Sequence, residues 1–223
     1  MARFKRLNVI RKIGEQGMIT VYYSPDIDHM KNILSACYEG GIRSFEYTNR
    51  GDFAHEVFAE LNKWAEKEIP EMMLGVGSVM DAGTASLYMQ LGTNFIVSPV
   101  LNSDMAKVCN RRKVAWMPGC GSASEISYAE ELGAEVVKIF PGSSVGGPDF
   151  VSAVLGPSPW SSIMPTGGVS PSEENLTAWF KAGVFCVGMG SNLLTKEITE
   201  KKNYKLLATR CRETLSLIEG IRS

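Results

Sequence analysis

Short apolar runs alternate with longer stretches of helical periodicity along the whole chain. The β-rich runs fall at Met18–Tyr23, Ile42–Tyr47, Met72–Ser78, Asn94–Ser98, Val114–Met117, Glu135–Phe140, Ser162–Pro165 and Val184–Gly188. Between them the pattern turns helical, over Ile27–Glu39, Phe53–Lys67, Asp81–Leu91, Asp104–Asn110, Ser122–Leu132, Asp149–Leu155, Glu173–Ala182 and Thr195–Ile221. A leading helix, Phe4–Gln16, precedes the first strand. Such alternation calls for parallel strands joined by crossover helices. The count predicts an α/β fold, a closed (β/α)8 barrel of the TIM type, with an N-terminal helix and an extended C-terminal helix over residues 1–223 as one domain. An open doubly wound sheet is the competing architecture, but no GxGxxG follows the first strand.

Local signals support these boundaries. Ser122-Ala123-Ser124-Glu125 has the form of a capping box, and Ser170-Pro171 offers an N-cap followed by proline. Gly133 and Gly183 stand where a helix must stop before a strand. In the last helix Ile198, Leu207, Cys211, Leu215 and Ile218 recur at helical spacing, which predicts packing on the barrel.

Polar residues break the apolar pattern at two strands. In Glu135-Val136-Val137-Lys138-Ile139-Phe140, alternation puts Val136, Lys138 and Phe140 on one face. Strands of a parallel sheet are covered on both sides and read as nearly continuous apolar runs, so a lysine at mid-strand needs a reason. It is either paired with a carboxylate, or snorkels out at the strand end, or is a buried amine whose pKa burial has lowered. A free lysine is neutral at pH 7 in roughly one molecule in a few thousand. Burial raises that fraction and makes the amine a nucleophile.

Ser44, Glu46 and Thr48 share one face of the second strand. If that face looks to the barrel axis, Glu46 lies near the C-terminal mouth, where barrel enzymes place their chemistry. Glu46 then partners Lys138, forms a structural ion pair, or shuttles a proton to and from a substrate hydroxyl. Arg50 follows the strand, either as a solvated surface cation or aimed at an anionic group.

Two glycine-rich turns end the seventh and eighth strands, Pro165-Thr166-Gly167-Gly168-Val169-Ser170 and Gly188-Met189-Gly190-Ser191-Asn192-Leu193. Barrel phosphate sites are built in this pair of loops, because glycine lets backbone N–H groups approach the anion. Ser78, Pro99, Gly119-Cys120-Gly121 and Gly146-Gly147-Pro148 are expected at the same rim, the two glycine segments as flexible loops. Ser78 and Pro99 also suit a helix N-cap and a turn.

Composition narrows the function. The 223 residues are 44% hydrophobic with a formal charge of −1, so no basic field suits a nucleic acid or a membrane surface. No apolar run is long enough to span a bilayer, and the N-terminus does not read as a signal peptide. The five cysteines are dispersed, without CxxC spacing, which fits a reducing cytoplasm. Cys120 has no histidine beside it in sequence and reads as an incidental thiol. Only His29 and His55 occur, so no metal site is expected and no cofactor motif is present.

Together the motifs resemble the 2-keto-3-deoxy-6-phosphogluconate (KDPG) and 4-hydroxy-2-oxoglutarate (KHG) aldolases, from about Thr20 to Leu194. The resemblance rests on Glu46-x-Thr48-x-Arg50, Gly75-Val76-Gly77-Ser78-Val79, Phe95-Ile96-Val97-Ser98-Pro99, Val137-Lys138-Ile139-Phe140-Pro141 and Met164-Pro165-Thr166-Gly167-Gly168-Val169, in that order. It implies a class I, imine-forming carbon–carbon lyase acting on a small 2-keto acid, without metal or cofactor, as a homotrimer. It further implies Lys138 as the Schiff-base lysine and Glu46 as the general acid/base. Arg50 and Ser78 match positions that hold the pyruvate carboxylate, and Pro99 and Phe140 the wall around the imine. Thr166, Gly167, Gly168 and Ser191 match the rim that takes the distal phosphate.

The chain departs from that pattern in places. Ser78 replaces the usual threonine, Asn49 a usual apolar residue, and Gly51-Asp52-Phe53 a stretch of small or hydroxyl residues. The C-terminal extension is longer and more charged than the family minimum. A galactonate-type aldolase of the same mechanism, a phosphate-binding isomerase or synthase, and a non-catalytic sugar-acid binder are the competing functions.

Overall fold

The computed structural model describes residues 2–223. Its strands are β1 (Met18–Tyr22), β2 (Ser44–Thr48), β3 (Met73–Gly77), β4 (Phe95–Val97), β5 (Ala115–Met117), β6 (Gly119–Cys120), β7 (Val137–Ile139), β8 (Ile163–Pro165) and β9 (Val187–Met189). All their pairings are parallel, in two runs, β5-β4-β3-β2-β1-β9 and β6-β7-β8. The runs join at both ends. β5 and β6 are one strand interrupted at Pro118, which has no N–H to give a ladder. At the other seam Thr166 bridges Gly188, and the Phe185 N–H donates to the Ile163 carbonyl at 2.9 Å. The result is the expected barrel, closed and curled.

The helices are α1 (Arg6–Gln16), α2 (Ile27–Glu39), α3 (Ala54–Glu68), α4 (Ala82–Gln90), α5 (Ser103–Arg112), α6 (Ala123–Glu131), α7 (Gly147–Leu155), α8 (Glu173–Lys181), α9 (Lys196–Glu200) and α10 (Tyr204–Arg222). The core has two layers. Outside the barrel, the apolar stripes of the helices meet the outward strand residues. Inside it, Ile19, Met73, Phe95, Met117, Val136 and Met164 pack together with Val9 and Ile13 of α1. The leading helix therefore plugs the barrel floor, which leaves the opposite, C-terminal mouth for chemistry.

Several expectations needed correction. Gly119-Cys120 is not a flexible rim loop, because both residues pair with β7. Gly147 and Pro148 are not loop either, since they form the first turn of α7, where proline costs no hydrogen bond. The cap of α8 is Ser172 and not Ser170, its hydroxyl accepting from the Asn175 N–H at 3.3 Å. Ser78 caps no helix; the side chain of Asp81 caps α4. The single C-terminal helix over Thr195–Ile221 is two helices. Lys202 turns left-handed at φ 52°, and Asn203 starts α10 by accepting from the Leu206 N–H at 3.2 Å. Ile198, Leu207, Cys211 and Ile218 are buried as expected, while Leu215 is only half-buried.

Other signals act as read. The Ser122 hydroxyl accepts from the Glu125 N–H at 3.3 Å, and the Glu125 carboxylate reaches back to the Gly121 N–H at 2.7 Å. Gly133 and Gly183 end α6 and α8 with φ of 86° and 97°, values that favour glycine.

Candidate active site

Strand alternation delivers the inward face of each strand to the barrel axis. Val136 belongs to the inner cluster, so Lys138 and Phe140, two and four residues on, face the same way. Ser44 bonds the Met18 carbonyl at 2.8 Å from inside β2, and Glu46 and Thr48 follow it upward. Lys138 is 4% exposed and Glu46 1%. Both sit one inward residue below the mouth, under Phe140 and Thr48 respectively.

The two groups meet without forming a closed ion pair. Among the described residues, no ion pair within 4 Å involves Lys138 or Glu46, and Glu46 Oε2 has no hydrogen-bond partner. The strand-lysine reading as a structural ion pair is thereby removed. Burial pushes the Lys138 amine below the ordinary lysine range; Glu46 opposes that shift and Arg50 reinforces it. Burial likewise pushes the Glu46 carboxyl up, against the pull of Lys138 and Arg50. In both groups desolvation outweighs the attraction, so each is driven toward its uncharged form. The Lys138 amine lies 4.8 Å from the centre of the Phe140 ring, which walls it on one side.

Arg50, just past β2, places its Nε–H 3.4 Å from the Ser78 hydroxyl at the end of β3. Ser78 holds a left-handed backbone, φ 57°. Pro99 follows β4 and is half-buried, its backbone pressed against Gly119 so closely that a Cβ there would collide with it. These residues form the β2–β4 side of the mouth.

From Arg50 a cavity of about 440 Å³ extends past β1 toward the ends of β9 and β8. Its walls include Arg50, Phe140, Thr166, Gly167, Gly168 and Ser191, so six of the residues singled out in the sequence share one space. The glycine turn after β8 is fixed from behind, the carbonyls of Thr166 and Gly167 accepting from the N–H groups of Gly142 and Ser143 at 2.8 and 3.1 Å. Among the described residues the N–H groups of Gly168 and Ser191 have no partner within the chain. Thr166 Oγ1 and Thr48 Oγ1 are buried and equally unpartnered. This cluster of spare donors beside a cation suits an anion.

Sequence reasoning did not single out Tyr22, Tyr23, Asn192, Lys196 or Thr199, which also line the cavity. Tyr22 ends β1 and Tyr23 follows it, at a strand whose mouth position was readable. The last two lie on α9, whose separate existence was not. Cys120 is buried, and its thiol is pushed up to about 12 by desolvation, as an inert thiol would be. Among the described residues, no three His, Cys, Asp or Glu side chains gather as a metal site requires. No helix among them is long and apolar enough to cross a membrane.

Comparison with known proteins shows the family and the fold. A family model for KDPG and KHG aldolase matches residues 9–209. The 2-dehydro-3-deoxy-phosphogluconate aldolase of Pseudomonas aeruginosa is 33% identical over 199 residues, covering 89% of this chain and 86% of that protein. The enzyme of the same name from Pseudoalteromonas atlantica is 29% identical over 204 residues, 92% of each chain. Among solved structures, the 2-keto-3-deoxy-6-phosphogluconate aldolase of Zymomonas mobilis ZM4, determined with 3-phosphoglycerate, superposes with a TM-score of 0.77 at 26% identity, over 91% of this chain and 94% of that one.

Proposed function

The chain belongs to the KDPG and KHG aldolase family, and from that premise we propose that it cleaves 2-keto-3-deoxy-6-phosphogluconate reversibly to pyruvate and glyceraldehyde 3-phosphate through an imine on Lys138. The same site would split 4-hydroxy-2-oxoglutarate to pyruvate and glyoxylate. The observation that carries the reading is Lys138 itself: a buried amine on β7, outside any ion pair and pushed toward its neutral form. An isomerase or synthase that works without an imine, or a passive binder, needs no such group.

Neutral Lys138 adds through Nζ to the C2 carbonyl, and loss of water leaves a protonated imine. Glu46 accepts the proton of the C4 hydroxyl, directly or through one water. The C3–C4 bond breaks, its electron pair moves into the imine as an enamine, and the aldehyde departs. Glu46 returns the proton to C3, and hydrolysis of the imine releases pyruvate and the amine. One carboxyl serves both proton transfers, and a pKa raised by burial suits a group that must give as well as take.

Arg50 and Ser78 hold the substrate carboxylate, and Pro99 and Phe140 flank the imine. Thr166, Gly167, Gly168 and Ser191 take the distal phosphate, a role supported by the spare donors of Thr166, Gly168 and Ser191. Residues 1–223 act as one catalytic domain. The family resemblance further implies a homotrimer, which light scattering on the purified protein would test. Five buried free thiols suit a reducing cytoplasm.

The test is mass analysis after mixing the protein with pyruvate and sodium borohydride, followed by peptide mapping. A reduced pyruvate adduct on Lys138, absent in Lys138→Ala, is expected. No adduct on folded protein, or an adduct retained in that variant, overturns the assignment. Glu46→Gln should still form the adduct but cleave slowly.

A further inference from the structure

The cavity at the mouth is lined by two cations, Arg50 and Lys196, and by no aspartate or glutamate. The two stand in different sectors. Arg50 follows β2, whereas Lys196 opens α9 after β9, and β1 with Tyr22 and Tyr23 lies between them. A ligand neutralised at both places carries two separated negative groups. The Arg50 sector is already taken up with Ser78, on the side nearer Glu46.

Lys196 is free to meet the second charge. Among the described residues it forms no ion pair and no side-chain hydrogen bond. The nearby Glu197 carboxylate is held by Lys201 at 3.2 Å. Its backbone is well fixed for a surface cation. Ile198 is fully buried under α9, and the Thr199 hydroxyl bonds the Thr195 carbonyl at 3.2 Å. The Arg210 guanidinium on α10 donates to the Asn192 carbonyl at 3.1 Å, tying the β9–α9 connection to the helix behind it. The same cavity wall includes the glycine turn after β8, with the spare N–H group of Gly168.

We propose that Lys196 is a specificity-determining residue: it pairs with the distal phosphate of the substrate and makes this site favour phosphorylated over unphosphorylated 2-keto acids. The proposal rests on the aldolase reading of the same site. A lysine acts here as a point charge that adds to the geometric cradle of backbone donors. It touches no reacting atom, so its contribution is to binding of the phosphorylated substrate.

The experiment measures kcat/KM of the wild type, Lys196→Ala and Lys196→Arg on 2-keto-3-deoxy-6-phosphogluconate and on 4-hydroxy-2-oxoglutarate. Binding of inorganic phosphate to each protein is followed by calorimetry. In Lys196→Ala the ratio of the two kcat/KM values is expected to fall about ten- to a hundred-fold, the range of one charge-assisted hydrogen bond. The fall should sit in KM for the phosphorylated acid, and Lys196→Arg should recover most of it. A ratio that stays at the wild-type value, or an equal loss on both substrates, overturns the proposal. If the wild type turns over neither substrate, the aldolase reading fails, and Lys196 is judged on inorganic phosphate alone. Binding weakened in Lys196→Ala then upholds the anion contact, and binding that is absent or unchanged refutes it.

Discussion

Gly77 leaves the space that the Glu46 carboxylate fills: a Cβ at position 77 would collide with the Glu46 carboxyl group. Gly77 closes β3 beside Thr48 of β2, so the neighbouring strand is hollowed out one step above the acid. Gly77→Ala should therefore act as a lesion of Glu46. Overpacking costs about 1–3 kcal/mol of stability, and the carboxyl must leave the position it now holds. We expect cleavage to fall at least about as far as in Glu46→Gln, with borohydride trapping retained. The double variant should be little worse than either single one, since both remove the same group. Additive losses in that cycle would show that Gly77 acts elsewhere.

Much of this site was legible because strands have a period of two. Once Lys138 and Glu46 lay mid-strand, alternation fixed which neighbours shared their face, and the barrel count fixed which loops met at the mouth. The glycine turns after β8 and β9 declared themselves by composition. What stayed hidden depends on tertiary contact. Lys201-Lys202-Asn203 contains neither glycine nor proline, and its one local signal, the N-capping Asn203, is weak inside a run of helical periodicity, yet Lys202 turns left-handed and separates α9 from α10. Lys196 could not be placed before that break was known. Gly119-Cys120 looked like a flexible loop in a glycine segment, and only pairing with β7 shows it as strand. Asn49, odd in sequence, is explained by the Tyr88 hydroxyl, which donates to its side-chain oxygen at 2.8 Å.

The depressed pKa of Lys138 has a kinetic consequence. Formation of the imine requires the neutral amine, so its rate should rise with pH through a midpoint below the ordinary lysine value of 10.5. Exchange of the pyruvate methyl protons with deuterated solvent, followed by NMR, reports enamine formation directly. Glu46 raises the amine's pKa and Arg50 lowers it. The midpoint should accordingly move down in Glu46→Gln and up in Arg50→Met. Unmoved midpoints would mean that neither charge is felt at the amine.

Arg50 and Ser78 should not contribute equally. The guanidinium offers a planar fork to a carboxylate, which the ammonium of Arg50→Lys does not reproduce. A charge-assisted hydrogen bond is roughly twice as strong as a neutral one. Arg50→Lys is expected to raise KM for pyruvate exchange about ten-fold or more, and Ser78→Ala only a few-fold. The reverse order would place the carboxylate on the Ser78 side alone.

His29 links three elements behind the rim. Its Nε2 lies 3.2 Å from the Tyr22 hydroxyl at the end of β1, and its Nδ1 2.9 Å from the Tyr204 hydroxyl at the start of α10. Burial lowers its pKa from the ordinary 6.5, Lys202 adds to that, and Asp26 opposes it. Above pH 6.5 the ring is neutral in both folded and unfolded chains, and the shift contributes nothing to pH dependence. As pH falls through 6.5 the unfolded chain takes up the proton first, so stability declines until the folded-state pKa is reached. Urea unfolding between pH 7 and 5 should show the wild type losing stability that His29→Gln, which cannot titrate, does not lose. Tyr204→Phe should cost about 1 kcal/mol at neutral pH by removing one hydrogen bond. It should also loosen α9, and hence weaken phosphate binding without slowing deuterium exchange into pyruvate. Equal pH profiles for wild type and His29→Gln would mean that His29 stays solvated enough to titrate alike in both states.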